Sequence, residues 1–129
     1  MKKISSLLLI DDNYAINRLN ELIVAELNAA DAVHIAKNGQ EALQLIEQQK
    51  ICPDLIVTDI NMPVMDGVDF VERYSQLTVG EKPAAVVVSS ASNSVKELEK
   101  MASYDFVKEQ LEKPISFETW QRLQRVYGN

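Results

Sequence analysis

Hydrophobic and polar positions follow two alternating patterns along this chain. Short, nearly continuous apolar runs predict strands that are buried on both faces of a sheet. The predicted strands cover residues 4–10, 32–36, 55–58, 84–89 and, more weakly, 110–112. Between these runs, apolar residues recur at three- and four-residue steps, which predicts amphipathic helices. The predicted helices cover residues 14–27, 40–49, a segment that begins at 66–67, 94–103 and 116–127.

The helical stripes also predict which side chains pack inward. Ser116, directly before the last stripe, is a suitable N-cap. The residues expected to face the core are Ile16, Leu19, Ile23 and Leu27 in the first helix, Ala42, Leu43 and Ile46 in the second, Val68, Val71 and Leu77 in the third, and Trp120, Leu123 and Val126 in the last.

Five strand–helix repeats predict an α/β domain with a five-stranded parallel sheet and helices on both faces. Strand and helix chirality then requires right-handed crossovers. The length of 129 residues fits one domain over residues 1–129, and 47% hydrophobic with 25% charged residues is ordinary for a globular protein. We found no linker, repeat or low-complexity segment.

Charge and cysteine content narrow the function further. The net charge of −6 argues against direct nucleic-acid binding, which needs clustered lysine and arginine. The single Cys52 cannot form an internal disulfide and is interpreted as a small semi-buried residue rather than a catalytic thiol. No apolar run is long enough for a signal peptide or a membrane span, so we expect a cytoplasmic protein without membrane contact.

Carboxylates and a lysine fall at the ends of the predicted strands. Asp11 and Asp12 follow the first strand, Asp59 follows the third, and Lys113 stands just after the weak fifth strand. Ligands of open parallel sheets bind at the carboxyl ends of the strands, so these side chains are expected to meet at one edge. Three like charges repel unless a cation joins them, and a hard, oxygen-preferring cation such as Mg²⁺ is the best candidate.

The segment over residues 59–67, with sequence DINMPVMDG, resembles the central motif of bacterial two-component response regulator receiver domains. The same family has an acidic pair like Asp11-Asp12, a hydroxyl residue before alanine like Ser90-Ala91, and a lysine before proline like Lys113-Pro114. The resemblance covers essentially the whole chain, and four motifs in the right order make it specific. It implies a flavodoxin-like fold, and usually a cis bond before the proline.

The resemblance also implies roles for individual residues. Asp59 matches the phosphorylated aspartate, Lys113 the lysine that contacts the phosphoryl group, and Ser90 the switch hydroxyl, with Ser89 as the competing assignment. Asp12 matches the direct Mg²⁺ ligand, and Asp11 matches its partner, which acts mainly through a metal-bound water. Together with Asp59, Asn61 completes the implied metal site through its backbone carbonyl.

The implied function is a phosphorylation-controlled signalling module rather than a turnover enzyme. It would take a phosphoryl group from a histidine kinase or a histidine phosphotransfer protein and alter binding to a downstream effector protein or a fused output domain. The family usually has an aromatic residue three positions before the lysine, where this chain has Gln110. A ring cannot rotate there, which leaves open how output follows phosphorylation. The sequence also leaves open whether the domain forms a homodimer.

Three alternatives compete with this interpretation. A Mg²⁺-dependent phosphatase of the haloacid dehalogenase type needs an acid two residues after the nucleophile, where this chain has Asn61. A nucleotide-binding domain needs a glycine-rich phosphate loop, which the sequence lacks. A phosphate-independent scaffold with a receiver fold stays open because of Gln110, although the three acids and the lysine argue against it.

Overall fold

The computed structural model describes residues 2–91 and 95–129, in which strands and helices alternate. The strands are β1 Ile4–Ile10, β2 Ala30–Ala36, β3 Leu55–Thr58, β4 Ala85–Ser90 and β5 Val107–Glu112. The helices are α1 Tyr14–Leu27, α2 Gly39–Glu47, α3 Gly67–Leu77, α4 Val95–Ala102 and α5 Phe117–Tyr127. All five strands of the described chain pair in parallel, in the order β2-β1-β3-β4-β5. The predicted flavodoxin-like α/β fold is thereby confirmed.

The core has two halves, one on each face of the sheet. Successive strand residues point to opposite faces, so Leu8 and Ile10 of β1 contact the half under α2, α3 and α4, whereas Leu7 and Leu9 contact the half under α1 and α5. Trp120 of α5 is fully buried in the second half. Side chains of the central strands β1, β3 and β4 belong to both halves of the core. This packing on both faces holds the ends of these strands, where the site lies, in place.

Most predicted boundaries agree with the structure to within two residues. The bounds of β1, α1 and β3 are as predicted, and Ser116 caps α5 by accepting a hydrogen bond from the Thr119 N–H. The weak strand was predicted too short, because β5 begins three residues earlier than expected. The start of the fourth predicted helix, at Ser94, lies outside the described residues.

Several side chains predicted to be buried are exposed. Leu19, Leu77 and Val126 lie on the solvent side of their helices, and Cys52 is exposed rather than semi-buried. In α3 the predicted Val68 and Val71 are buried in the core, and Phe70 and Tyr74, rather than Leu77, complete the buried face. The spacing of apolar residues thus predicted where these helices lie along the chain, but it assigned some solvent-facing residues to the core.

The turn before β5 brings two aromatic rings into the core. Phe106 packs edge-on against Tyr74, with ring centroids 5.5 Å apart, and Tyr104 lies 5.6 Å from Phe106. Both rings therefore fill space at the edge of the core. On the other face of β5, Glu109 accepts hydrogen bonds from both terminal nitrogens of Arg122 and from the Tyr127 hydroxyl. These contacts join β5 to α5.

Candidate metal and phosphoryl-acceptor site

Asp11 and Asp59 lie side by side because the backbone pairing of their strands continues one residue beyond the strand ends. The Asp59 N–H donates to the Ile10 carbonyl at 2.9 Å, and the Asp11 N–H donates to the Ala36 carbonyl at 3.1 Å. Both aspartates are buried, with exposed fractions of 5% for Asp11 and 8% for Asp59. The sheet therefore presents two carboxylates at its carboxyl edge, as predicted.

Lys113 neutralises part of this charge. Its ammonium lies 2.5 Å from Asp11 Oδ2 and 2.9 Å from Asp59 Oδ2. The remaining carboxylate oxygens accept backbone hydrogen bonds, Asp59 Oδ1 from the Ile60 N–H at 2.7 Å and Asp11 Oδ1 from the Asn13 N–H at 2.9 Å. Each carboxylate is thus held on both oxygens, which fixes its orientation. The bond between Lys113 and Pro114 is cis, as the family resemblance implies.

Asp12 completes a three-carboxylate cluster. One oxygen from each of Asp11, Asp12 and Asp59 lies within 4.8 Å of the other two. Asp12 is exposed, so the cluster is open to solvent on one side. Three carboxylates against one ammonium leave about two negative charges, and oxygen donors open to water suit a divalent cation that keeps part of its hydration shell, such as Mg²⁺. The donor set fits the implied metal.

Burial and pairing shift the titration of this cluster. Burial raises the pKa of Asp11, and this effect outweighs the hydrogen bonds from Lys113 and the Asn13 backbone. Burial alone would lower the pKa of Lys113, but its hydrogen bonds to Asp11 and Asp59 raise that pKa more. The ammonium is therefore held in its charged form between two carboxylates whose mutual repulsion a divalent cation would relieve.

The loop after Asp59 is held close to the Asp59 backbone by Gly67. The Gly67 N–H donates to the Ile60 carbonyl at 2.7 Å, and a Cβ at this glycine would lie only 2.2 Å from the Asp59 carbonyl oxygen. Asp66 caps α3 by accepting from the Asp69 N–H. Close packing on the Asp59 backbone therefore requires a glycine at position 67. Asn61 lies in this loop with an exposed side chain, and its role as a carbonyl ligand stays a prediction.

A cavity of about 350 Å³ adjoins the cluster between β4, β5 and α4. Ser90, Gln110, Leu98 and Lys113 are among its lining residues. Ser89 is buried and, by strand alternation, points to the opposite face, which supports Ser90 as the switch hydroxyl. Gln110 is exposed beside Ser90, where the family usually has its ring.

Residues 7–123 match the family described as the response regulator receiver domain. The chain belongs to this family. The match covers most of β1 through to α5 and includes every acidic residue of the cluster.

Curated and solved relatives of this receiver domain agree with that assignment. It is 31% identical over 111 residues to the protein-glutamate methylesterase/protein-glutamine glutaminase of Desulfotalea psychrophila, covering 82% of the chain and 29% of the relative. It is 29% identical over 126 residues to the probable C4-dicarboxylate response regulator DctR of Priestia megaterium, covering 98% of the chain and 53% of the relative. A crystal structure of a two-component response regulator from Cytophaga hutchinsonii superposes with a TM-score of 0.83 at 25% identity, covering 96% of each chain.

The receiver domain is shorter than its curated relatives, since it spans only about half of the length of one and less than a third of the other. In the described part of the domain, no helix is long and apolar enough to cross a membrane.

Sequence reasoning missed two residues that support the receiver domain's acidic cluster. Asn13 caps α1 with its side chain while its N–H binds Asp11, and an asparagine directly before a helical stripe is a recognisable cap. Asn17 donates from Nδ2 to the Asp11 carbonyl at 2.8 Å. The signal for Asn17 was its helical spacing with Asn20 and Val24, a stripe that was passed over because two of its members are polar.

Proposed function

We propose that this receiver domain accepts a phosphoryl group on Asp59 from a phosphohistidine of a histidine kinase or a histidine phosphotransfer protein. In this reaction a carboxylate oxygen of Asp59 forms a bond to phosphorus, and the bond between phosphorus and the histidine nitrogen breaks. Water later cleaves the acyl phosphate and restores Asp59. The domain promotes both steps on itself and is not a turnover enzyme in the ordinary sense.

The observation that carries this proposal is the placement of Asp59. Its carboxylate stands at the carboxyl end of a central strand, is held by the Ile60 N–H and Lys113, and shares the site with two further carboxylates. Phosphoryl transfer needs positioning and charge stabilisation more than covalent assistance from the protein. A fixed carboxylate beside an ammonium and a cation site supplies both requirements.

Each neighbouring residue has a defined task in the proposed reaction. Asp11, Asp12, Asp59 and the Asn61 carbonyl would hold Mg²⁺, which offsets the charge of the incoming phosphoryl group when it is bound. Lys113 is placed to exchange its contact with Asp59 for a phosphoryl oxygen, because its ammonium already lies at that carboxylate. The Ser90 hydroxyl, in the adjoining cavity, would donate to another phosphoryl oxygen.

Output follows as a shift between two conformations of the domain. The phosphorylated form would differ in its affinity for a downstream effector protein or a fused output domain. Formation of a homodimer is a second way in which phosphorylation would alter output. Relatives named as a methylesterase/glutaminase and as a dicarboxylate response regulator support regulation of a larger protein. We place this activity in the cytoplasm.

The decisive experiment is intact-mass spectrometry after incubation with acetyl phosphate and Mg²⁺. Wild-type protein should gain the mass of one phosphoryl group, and chelation of the metal should prevent that gain. Asp59→Asn should stay unmodified. Asp105→Asn, which changes an exposed aspartate in the turn before β5, is the matched control and should be modified like the wild type.

Two outcomes would overturn the proposal. Modification of Asp59→Asn to the wild-type extent would place the phosphoryl group on another residue. Absence of modification from both acetyl phosphate and a phosphorylated histidine kinase would leave a receiver-fold scaffold.

A further inference from the structure

Asn17 is a buried polar residue whose side-chain amide forms a hydrogen bond through its nitrogen but, within the described residues, not through its oxygen. It lies in α1 with 4% of its surface exposed, and its Nδ2 donates to the Asp11 carbonyl at 2.8 Å. Its Oδ1 is buried and has no hydrogen-bond partner in residues 2–91 and 95–129. The reverse amide orientation would place Oδ1 against the Asp11 carbonyl oxygen, so the donor assignment follows from the contact itself.

Packing alone does not explain an asparagine at this position. A buried acceptor without a partner costs stability, and an apolar side chain of similar size would avoid that cost. Asn20, one turn further along the same buried face, differs in this respect because its Oδ1 accepts from Trp120 Nε1 at 3.1 Å. The hydrogen bond that Asn17 donates to the Asp11 carbonyl therefore accounts for an asparagine at this position.

That hydrogen bond completes the restraint of Asp11. The Asp11 N–H is bound to Ala36, and both carboxylate oxygens are bound, one by the Asn13 N–H and the other by Lys113. Asn17 holds the last polar group of the residue, its carbonyl oxygen.

The carbonyl of Asp11 belongs to the peptide plane that leads into Asp12. Because a peptide unit is planar, the direction of that carbonyl sets the direction in which the chain enters Asp12. Among residues 2–91 and 95–129, no hydrogen bond or ion pair fixes the exposed Asp12 side chain, so the backbone beneath it largely determines where its carboxylate can lie. Asn17 thus acts on both carboxylates of the pair through one bond.

We propose that Asn17 is a positioning residue that fixes the Asp11–Asp12 peptide and so preorganises the carboxylates for a divalent cation. This inference rests on the proposed function only for the identity of the cation, Mg²⁺. Partners that orient metal ligands typically change metal affinity by about 10- to 100-fold when they are removed. We therefore expect loss of the Asn17 donor to weaken Mg²⁺ binding about tenfold or more.

The test is a titration of the whole chain with MgCl₂, followed by amide chemical shifts in NMR spectra. Asn17→Leu removes the donor and keeps a side chain of similar size, and Asn17→Ala serves if the larger side chain prevents folding. Asn20→Leu is the matched control, because it removes a buried amide from the same face of the same helix. The double variant Asn20→Leu/Trp120→Phe is also measured, because Asn20→Leu alone would leave the indole N–H of Trp120 without its acceptor.

We expect a Mg²⁺ dissociation constant about tenfold or more above wild type for the Asn17 variants and within about twofold for the Asn20 variants. At saturating Mg²⁺, the maximal phosphorylation rate of Asn17→Leu should approach that of the wild type, because the loss lies in cation binding. Urea unfolding of each variant separates this effect from a general loss of stability.

Three results would overturn the inference. These are an unchanged dissociation constant in both Asn17 variants, an equal loss in the Asn20 control, or a wild-type chain that binds no Mg²⁺. A wild-type chain that binds Mg²⁺ but is never phosphorylated would overturn the proposed function and leave this inference standing.

Discussion

The indole N–H of Trp120 in α5 donates a hydrogen bond to the Asn20 side chain in α1, and both residues are buried. This bond connects the two helices that cover one face of the sheet. Asn20→Leu should lower the free energy of unfolding by about 1–3 kcal/mol, because the indole N–H loses its acceptor inside the core. Urea denaturation followed by circular dichroism measures the change.

A double-mutant cycle tests the cause of that loss. Trp120→Phe removes the donor, so adding Asn20→Leu to it should cost clearly less than adding Asn20→Leu to the wild type. Equal costs in the two backgrounds would show that the asparagine stabilises the protein by some route other than this bond.

The same pair explains why part of α1 could not be predicted. Periodicity gave the correct bounds of the helix, but the assumption that polar residues face solvent selected Leu19, which is exposed. The observed face includes Asn17 and Asn20, whose partners are the Asp11 carbonyl and Trp120. A buried amide is acceptable only where a distant partner meets it, and such partners are not visible in a local pattern.

Strand composition explains where the sheet could and could not be predicted. The central strand β3 is buried at all four positions and has three aliphatic residues before Thr58, and its bounds were predicted correctly from this composition. The edge strand β5 alternates half-buried and exposed positions and contains four charged or amide side chains, so only its end was recognised. The meeting of Asp11, Asp12, Asp59 and Lys113 at one edge could be predicted because their places at strand ends follow from topology. The hydrogen bond that Asn17 donates to Asp11 could not, because it depends on how α1 is rotated about its axis.

Val64, in the loop between Asp59 and α3, has a left-handed backbone conformation with φ 69° and is 76% exposed. This conformation is unfavourable for a β-branched residue, whereas asparagine tolerates it. Val64→Asn should therefore raise the free energy of unfolding by about 1 kcal/mol, seen as a higher urea midpoint.

Val79→Asn provides the comparison for Val64→Asn. Val79 is equally exposed but does not have a positive φ, so the substitution should change stability by less than about 0.5 kcal/mol. Equal effects at both sites would attribute any gain to the removal of exposed valine rather than to backbone relief.

The Glu109 carboxylate should contribute to stability in a pH-dependent way. Its hydrogen bonds with Arg122 hold the pKa of Glu109 below its ordinary value of 4.5, against the opposing effect of burial. A lowered pKa in the folded state stabilises the protein above pH 4.5, and this contribution is lost as the pH falls through the folded-state pKa. The stability difference between wild type and Glu109→Gln should therefore shrink on acidification, as urea unfolding from neutral pH to about pH 3 would measure.

Arg122→Met gives an independent check on the Glu109 pair. Without the guanidinium the pKa of Glu109 should move back toward its ordinary value, and the stability of this variant should fall less steeply in acid than that of the wild type. A constant difference between wild type and Glu109→Gln at every pH would mean that the ion pair does not couple to folding.

Lys113 should oppose Mg²⁺ binding while it assists phosphoryl transfer. Its ammonium already occupies Asp11 Oδ2 and Asp59 Oδ2, the carboxylates proposed to hold the cation. A single and a double positive charge roughly 5 Å apart repel by about 1.7 kcal/mol even at the dielectric constant of water. Lys113→Met should therefore bind Mg²⁺ about tenfold more tightly than the wild type. Without the metal this variant should be less stable, because two buried carboxylates lose their counter-charge, and it should gain more stability than the wild type when Mg²⁺ is added.

Phosphorylation of Lys113→Met by acetyl phosphate should nevertheless be slower than that of the wild type, since no ammonium remains for the incoming phosphoryl oxygens. Tighter metal binding with slower phosphorylation would separate the two roles of this lysine, whereas weaker Mg²⁺ binding in Lys113→Met would show that the ammonium organises the carboxylates rather than competing for them.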